Sequence, residues 1–249
     1  MNDAFWRKGE TVGYYSALRI RPVEAALLEM DAQAVRGRVL ELGCGTGRLT
    51  AHLCEKAASV HAIDLSPAMA SACRARCPRA DVRTGDMRDL GAFADESFDA
   101  IFAVHNVLDV LADDERGVVL DALHRVLSPS GMLVFSSHNR GFRPGARVAL
   151  GLLLGDPRQG LSSLLRLPVR IRNRRRLAGF EHAESRYALV NDAAHDFAVV
   201  HYYIGRDAQE AQLRDHGFRL ERCLDLGGQP VPAGVEASRC PELVYVARR

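Results

Sequence analysis

The run VLELGCGTGRL at residues 39–49 constrains this chain more than any other stretch. An apolar, partly β-branched segment leads into three alternate glycines and then into an amphipathic stretch, a pattern that predicts a strand turning sharply into a helix. Glycine at Gly43, Gly45 and Gly47 lets the main chain take left-handed conformations and lets a ligand come within contact distance of it. A flat cofactor is expected to lie across the turn.

The surrounding sequence repeats the same strand-then-helix alternation. Strands are predicted at 38–42, 59–63, 81–84, 98–103 and 132–136, with helices at 47–56, 67–77 and 113–127. Alternation of this length implies right-handed crossovers and a parallel sheet covered on both faces, an α/β fold. Ser66 followed by Pro67 is an N-cap with a first-turn proline, and the SPSG sequence at 128–131 reads as a turn. After His138 the alternation stops, and Pro144, Pro157 and Pro168 punctuate arginine- and leucine-rich pieces that read as short helices. A strand at 198–204, a helix at 207–216 closed by Gly217, and strands at 218–226 and 243–247 complete the chain.

Composition narrows the class. At 249 residues, 47% hydrophobic and 26% charged, the chain suits one α/β domain with an insertion. The first ten residues hold no apolar signal-peptide core, and the apolar cluster at 149–154 is too short to span a bilayer, so a cytoplasmic protein is expected. Its six cysteines make no CxxC pair or Cys/His cluster, and no metal is assigned. Net charge is only +2, yet the stretch from Arg140 to Arg176 carries ten arginines and one acid, Asp156. That cluster fits a solvated lid, a clamp for an anionic acceptor, or a surface for peripheral contact with anionic lipid across 140–176. Nucleic acid is not expected, because the stretch lacks aromatic platforms for bases.

Four further elements follow the glycine turn in order. Glu41 stands just ahead of it, where a carboxylate opposes a pyrophosphate but favours an ammonium or sulfonium. Asp64 ends the second predicted strand and can accept from both hydroxyls of a ribose. Asp86 and Met87 follow the third, placed to meet an adenine amine and ring, and His105 sits at the tip of the fourth.

Taken together, ELGCGTG at 41–47, Asp64, GDM at 85–87, Phe98-Asp99 and the LSPSGML turn at 127–133 resemble the successive motifs of class I S-adenosylmethionine-dependent methyltransferases. The resemblance is close over residues 36–138. It implies a Rossmann-like, seven-stranded, mostly parallel sheet with helices on both faces, its last strand antiparallel, and S-adenosylmethionine as cofactor with S-adenosylhomocysteine as product. By position it places Gly43, Gly45 and Gly47 against the methionine portion, Asp64 with Leu65 at the ribose, Asp86 and Met87 at the adenine, and His105 near the sulfonium. It also suggests that Tyr14 covers the cofactor and that Arg19 pairs with its carboxylate. The expected organisation is an N-terminal helical cap (1–35), the cofactor-binding core (36–138), a basic helical insertion or lid after strand 5 (139–197), and completion of the sheet (198–249).

The acceptor is less determined, and a small molecule with an anionic group is the reading the arginines favour. His138 and His201, ahead of His105, are the candidate general bases, with Arg143, Tyr202 and Tyr203 as candidate acceptor contacts. Alternatives are methyl transfer to a lipid or quinone at a membrane surface, and a non-catalytic regulatory protein that keeps the cofactor site. A nicotinamide dehydrogenase is disfavoured by Glu41 and the glycine spacing. Nothing in the sequence fixes the oligomeric state.

Overall fold

The computed structural model describes residues 2–7, 12–30, 32–143 and 165–249. The segment 144–164, which includes Pro144, Arg147, the apolar run at 149–154, Pro157 and Arg158, lies outside the described residues.

The expected alternation builds the centre of the molecule. Strands β1 (Arg38–Leu42), β2 (Ser59–Asp64), β3 (Asp81–Thr84), β4 (Phe98–Ala103) and β5 (Leu127–Asn139) are parallel and ordered β3-β2-β1-β4-β5. Strand β9 (Arg219–Leu224) and the final strand β10 (Glu242–Arg248) close the sheet, with β10 antiparallel to both β5 and β9. Those seven strands form the expected Rossmann-like sheet. Short helices α2 (Val12–Ala17) and α4 (Ala32–Arg36) precede β1, α5 (Arg48–Lys56) follows it, and α6 (Pro67–Arg76) starts as its sequence predicts, with Ser66 capping the Met69 amide and Pro67 in the first turn. Strand β5 is longer than the predicted 132–136, since pairing with β4 already begins at Leu127 and continues past an irregularity through the expected turn residues.

Two apolar layers hold the sheet. Alternation along β1 sends Val39 and Glu41 to one face and Leu40 and Leu42 to the other. Val39 packs with Val23 and Leu27 of α3 (Pro22–Met30) and with Leu49 and Leu53 of α5. Leu40 and Leu42 pack with Leu120 and Leu123 of α7 (Asp113–Val126) and Leu213 of α9 (Arg206–Asp215). Helices lie on both faces. Among the described residues, no helix is long and apolar enough to cross a membrane.

The insertion departs from the expected all-helical lid. Helix α8 (Leu167–Leu177) carries five of its arginines, but β6 (His182–Ala183) and β7 (Tyr187–Val190) add an antiparallel extension to the expected strand, β8 (His201–Ile204). That extension joins the sheet where β8 runs parallel to the tip of β5, pairing His138 with Tyr203. Strands as short as β6 and β7 leave no readable period. Strand β8 also starts at His201 and not at 198, because Asn2 takes over the ladder: its side chain accepts from the Val200 amide and donates to the carbonyls of Val110 and Val200.

One charged pair ties these parts together. Asp109, in the short 3-10 turn Val107–Val110 after β4, and Arg116 of α7 are both fully buried and meet at 2.8 Å. Arg116 also donates to Gln209 at 2.8 Å and Gln212 at 3.1 Å on α9, and its guanidinium lies 4.6 Å from the Tyr202 ring centre. Removing one partner of a buried pair leaves an uncompensated charge, which typically costs about 3–5 kcal/mol. Arg116→Ala is therefore expected to lose stability in that range in urea denaturation, whereas a change under about 1 kcal/mol would mean that Asp109 finds solvent or another partner.

Candidate active site

A cavity of about 610 Å³ opens at the carboxyl ends of β1, β2, β4 and β5. Each strand delivers one polar group to it, because strand ends are where side chains and main-chain atoms leave the packed sheet.

The β1 turn forms the floor. Gly43 and Gly45 line the cavity in left-handed conformations, with φ of 62° and 53°. A Cβ on Gly43 would meet Val107 Cγ2 at 2.7 Å, whereas one on Gly45 would meet nothing within 4 Å and would project into open space. Gly47 stands off the cavity, packed against Cys73 and Cys77 at the start of α5. Asp64 accepts from the Gly45 and Ser66 amides, both at 2.8 Å, and so fastens the turn to the end of β2; Leu65 lines the cavity beside it. Thr46 Oγ1 is buried against this floor without a hydrogen-bond partner among the described residues. An orphaned hydroxyl, an acid and an open glycine face at one turn fit the methionine and ribose parts of S-adenosylmethionine.

Glu41 reaches the same floor but not as the bare carboxylate that the sequence suggests. It is 3% exposed, accepts from Thr50 Oγ1 at 2.6 Å, and is pushed up to about 8 by burial. Near neutrality it is mostly protonated, and a cation beside it would restore its charge. Electrostatic choice of a cationic ligand would therefore work through a proton that leaves as the ligand arrives.

Asp86 and Met87 also line the cavity, on the side expected for adenine. Arg88 holds Asp86 at 2.6 Å and below the usual carboxylate range, and extends to Asp3 of α1 (Asp3–Trp6) and to Glu115. Tyr14 lines the cavity while largely exposed, and its neighbour Tyr15 meets the His105 ring edge at 6.4 Å. Arg19 does not face the cavity: it is exposed, and its carbonyl accepts from Arg48. Arg48 takes the inner position instead, because buried Glu24 pairs with it.

Two carboxylate–histidine pairs stand where β5 meets β8. His138 lies at the tip of β5 with Nδ1 2.7 Å from Asp109 Oδ2, while Nε2 lies 3.2 Å from the Asn106 amide nitrogen. Asp109 also accepts from the His138 amide at 2.6 Å and the Ser137 hydroxyl at 2.5 Å. Burial alone would raise its carboxyl, but the His138 hydrogen bond and the Arg116 charge hold it below the usual range. His201 sits on β8 with Nδ1 2.9 Å from Asp192, which also accepts from Tyr203 at 2.7 Å. The two imidazoles lie 4.9 Å apart and both line the cavity. His105 lines it too, but burial and then Arg21 and Arg48 push it down to about 4, leaving a weak base.

The remaining sequence candidates separate by strand alternation. Tyr203 shares the His201 face and stacks on His138 at 4.8 Å without reaching the cavity lining. Tyr202 points to the other face, where its hydroxyl donates to Asp113 at 2.5 Å and its ring covers Arg116. Arg143 is exposed and off the cavity, bonded to the carbonyls of Arg140 and Phe142. Sequence reasoning missed Asp109, Asp192, Asn106, Trp6 and His195. Arg116 among Val119, Leu120 and Leu123 on an apolar helix face was the available sign of a buried acid nearby; the loop residues Asp192 and His195 leave no such sign. His138, Asp192 and His201 bring potential metal-ligating atoms within 4.8 Å of one another, though each already has a hydrogen-bond partner.

The loop that forms the outer wall is strained. His195, Asp196 and Phe197 follow one another with φ of 51°, 55° and 59°, conformations that cost non-glycine residues energy. Arg166 and Arg170, each 2.9 Å from Asp196, and Asn173, 3.0 Å from its carbonyl, clamp the loop to α8.

The Glu41 geometry generates a linkage. A carboxyl raised above its ordinary 4.5 contributes stability below that pH and loses it as pH rises toward about 8. Binding of a cationic cofactor at pH 7 is therefore expected to release close to one proton through this group. Calorimetry in buffers of different ionisation heat measures this, and Glu41→Gln should abolish the release and weaken binding roughly tenfold or more. Equal proton release by wild type and Glu41→Gln would remove Glu41 from the linkage.

Comparison with known proteins follows the same outline. Residues 39–131 match the family described as a methyltransferase domain. A demethylmenaquinone methyltransferase of Tropheryma whipplei is 37% identical over 165 residues, covering 62% of this chain and 58% of that protein. A ubiquinone biosynthesis O-methyltransferase of Xanthomonas oryzae is 30% identical over 125 residues, covering 49% of this chain and 51% of that protein. The chain spans about half the length of the curated relatives it matches. Burkholderia thailandensis 1,6-didemethyltoxoflavin-N1-methyltransferase, solved with that substrate and S-adenosylhomocysteine, superposes with a TM-score of 0.60 at 19% identity, covering 99% of this chain and 84% of that one. Residues 39–131 thus resemble a methyltransferase domain, and the chain carries the fold of the class I S-adenosylmethionine-dependent methyltransferases.

Proposed function

We propose that the protein transfers a methyl group from S-adenosylmethionine to an oxygen or nitrogen of a small-molecule acceptor, with His138 as the base that removes the acceptor's proton. The observation that carries this reading is the Asp109–His138 pair, which opens into the same cavity as the glycine turn and Asp64. Bound at the β1 turn, the cofactor would supply an electrophilic methyl on a cationic sulfur.

The residues of this chain do the rest. Asp109 fixes the His138 tautomer with the proton on Nδ1, which leaves the Nε2 lone pair for an acceptor O–H or N–H in place of the long Asn106 contact. As the acceptor atom bonds to the methyl carbon, the carbon–sulfur pair leaves with sulfur and the acceptor proton passes to Nε2. Holding both partners in line can remove roughly 7–11 kcal/mol of barrier, and a placed base adds roughly 10²–10⁴-fold. The expected anionic acceptor draws little support from the lining, since Arg48, Arg88 and Arg166 are each engaged by carboxylates. An acceptor that starts neutral and loses a proton to His138 fits better.

A second reading concerns place. Leu165, Leu167, Val169 and Ile171 are exposed beside the arginines of α8, and Arg166 reaches the cavity rim. An amphipathic basic surface of this kind suits anionic lipid, and contact there would bring the cavity mouth to a bilayer that carries an apolar acceptor. The quinone-related names of the two curated relatives agree with such an acceptor.

Two measurements test these readings. In single-turnover methyl transfer from labelled S-adenosylmethionine over a panel of phenols, quinols, amines and carboxylates, His138→Ala is expected to slow transfer roughly 10²–10⁴-fold while S-adenosylhomocysteine affinity holds. Tight binding with no transfer to any acceptor would leave a binding protein in place of an enzyme. Sedimentation with phosphatidylglycerol vesicles should carry the protein down at low salt and lose it in Ile171→Asp; equal sedimentation with neutral phosphatidylcholine would refute the lipid reading.

A further inference from the structure

Beyond the two imidazoles, the acceptor end of the cavity is walled by aromatic rings. His201 lies 6.3 Å from His195, His195 lies 5.1 Å from Trp6 at 80°, and Trp6 lies 6.5 Å from Tyr15, centre to centre. With His138 next to His201, the rings make a continuous wall from the proposed base to the N-terminal helix α1. Trp6, Tyr15, His138, His195 and His201 all line the cavity. Burial pushes His195 down to about 4, so its ring is neutral near pH 7, as a face for an uncharged ring needs.

Trp6 supplies the second, independent observation. Its indole Nε1 is buried yet has no hydrogen-bond partner among the described residues. Indole nitrogen is a donor only, and a buried N–H left unmet is costly, so a turn of the ring that brings it to an acceptor atom in the cavity would be favoured. The wall is also set with care. Asn2 anchors α1 to Val110 and Val200 by three hydrogen bonds, and Phe5 packs on both Trp6 and His195 at about 5 Å.

We propose that the acceptor is a planar hydroxyarene bearing a second oxygen, seated along the ring wall with that oxygen accepting the Trp6 N–H and its reacting hydroxyl turned to His138. Flat rings stack or meet edge-on with the wall residues, which adds binding that a saturated ring of the same size lacks. Trp6 is thus a specificity-determining residue, and Asn2 positions it. The inference rests on the methyltransferase reading for the role of His138, but the slot itself is tested without turnover.

Trp6 is the chain's single tryptophan, so its fluorescence reports the slot directly. With S-adenosylhomocysteine at saturation, titration with catechol is expected to change that fluorescence saturably, and calorimetry to give an affinity at least tenfold better than for trans-cyclohexane-1,2-diol. Trp6→Phe keeps a ring and removes the donor; it should weaken catechol about fivefold, the usual worth of one hydrogen bond, and leave S-adenosylhomocysteine affinity unchanged. Equal binding of the flat and saturated diols, or unchanged catechol affinity in Trp6→Phe, overturns the proposal. If S-adenosylhomocysteine binds and methyl transfer occurs to a non-aromatic acceptor, the slot fails while the methyltransferase reading stands. If catechol binds but S-adenosylhomocysteine does not, the reverse holds.

Discussion

The buried Asp109–Arg116 pair is the interaction on which the His138 side of the cavity depends. Two unit charges removed from water are tolerable only when every remaining hydrogen-bonding position is met. Here Gln209, Gln212, Ser137 and the His138 main chain and ring meet them, and the Tyr202 face covers the guanidinium. The same contacts that make the pair affordable therefore fix α7, α9, β5 and β8 against one another and aim His138 at the cavity. Structural need and chemical placement are met by one network.

The cofactor end is organised differently. Its polar atoms are few and partly unmet: a protonated acid at Glu41, a lone hydroxyl on Thr46, and Asp64 spent half on fastening the turn. Such a site is held open by backbone geometry and completed by its ligand. The contrast fits a division in which the α/β core offers one constant half and the N-terminal and inserted segments shape the other.

How much of this could be read from residues alone follows from the same division. The strand, turn and helix around Gly43, the cap at Ser66, and the acids at Glu41, Asp64 and Asp86 are local patterns with local physical causes, and the fold follows their order. Position on the sheet edge also brought His105 and His138 into consideration, and the polar-aromatic run at 201–203 brought His201. What the pattern could not give was pairing across distant segments: Asp192 beneath His201, Asn2 replacing a strand partner for Val200, and Trp6 facing His195 from the other end of the chain. Nor could it give the protonation of Glu41, since burial is a tertiary property. Arg19 and Tyr202 were misjudged for one reason: a residue type that suits a role was credited before its direction was known.

The wall formed by His195, Asp196 and Phe197 has a further consequence. Two guanidiniums help to hold these three successive left-handed residues through Asp196, and one of them, Arg166, is largely exposed. Mobile ions weaken exposed pairs most, so rising ionic strength slackens the grip before it disturbs the sheet. The outer of the two contacts is thus the one that salt reaches, while the largely buried Arg170 keeps Asp196 against α8.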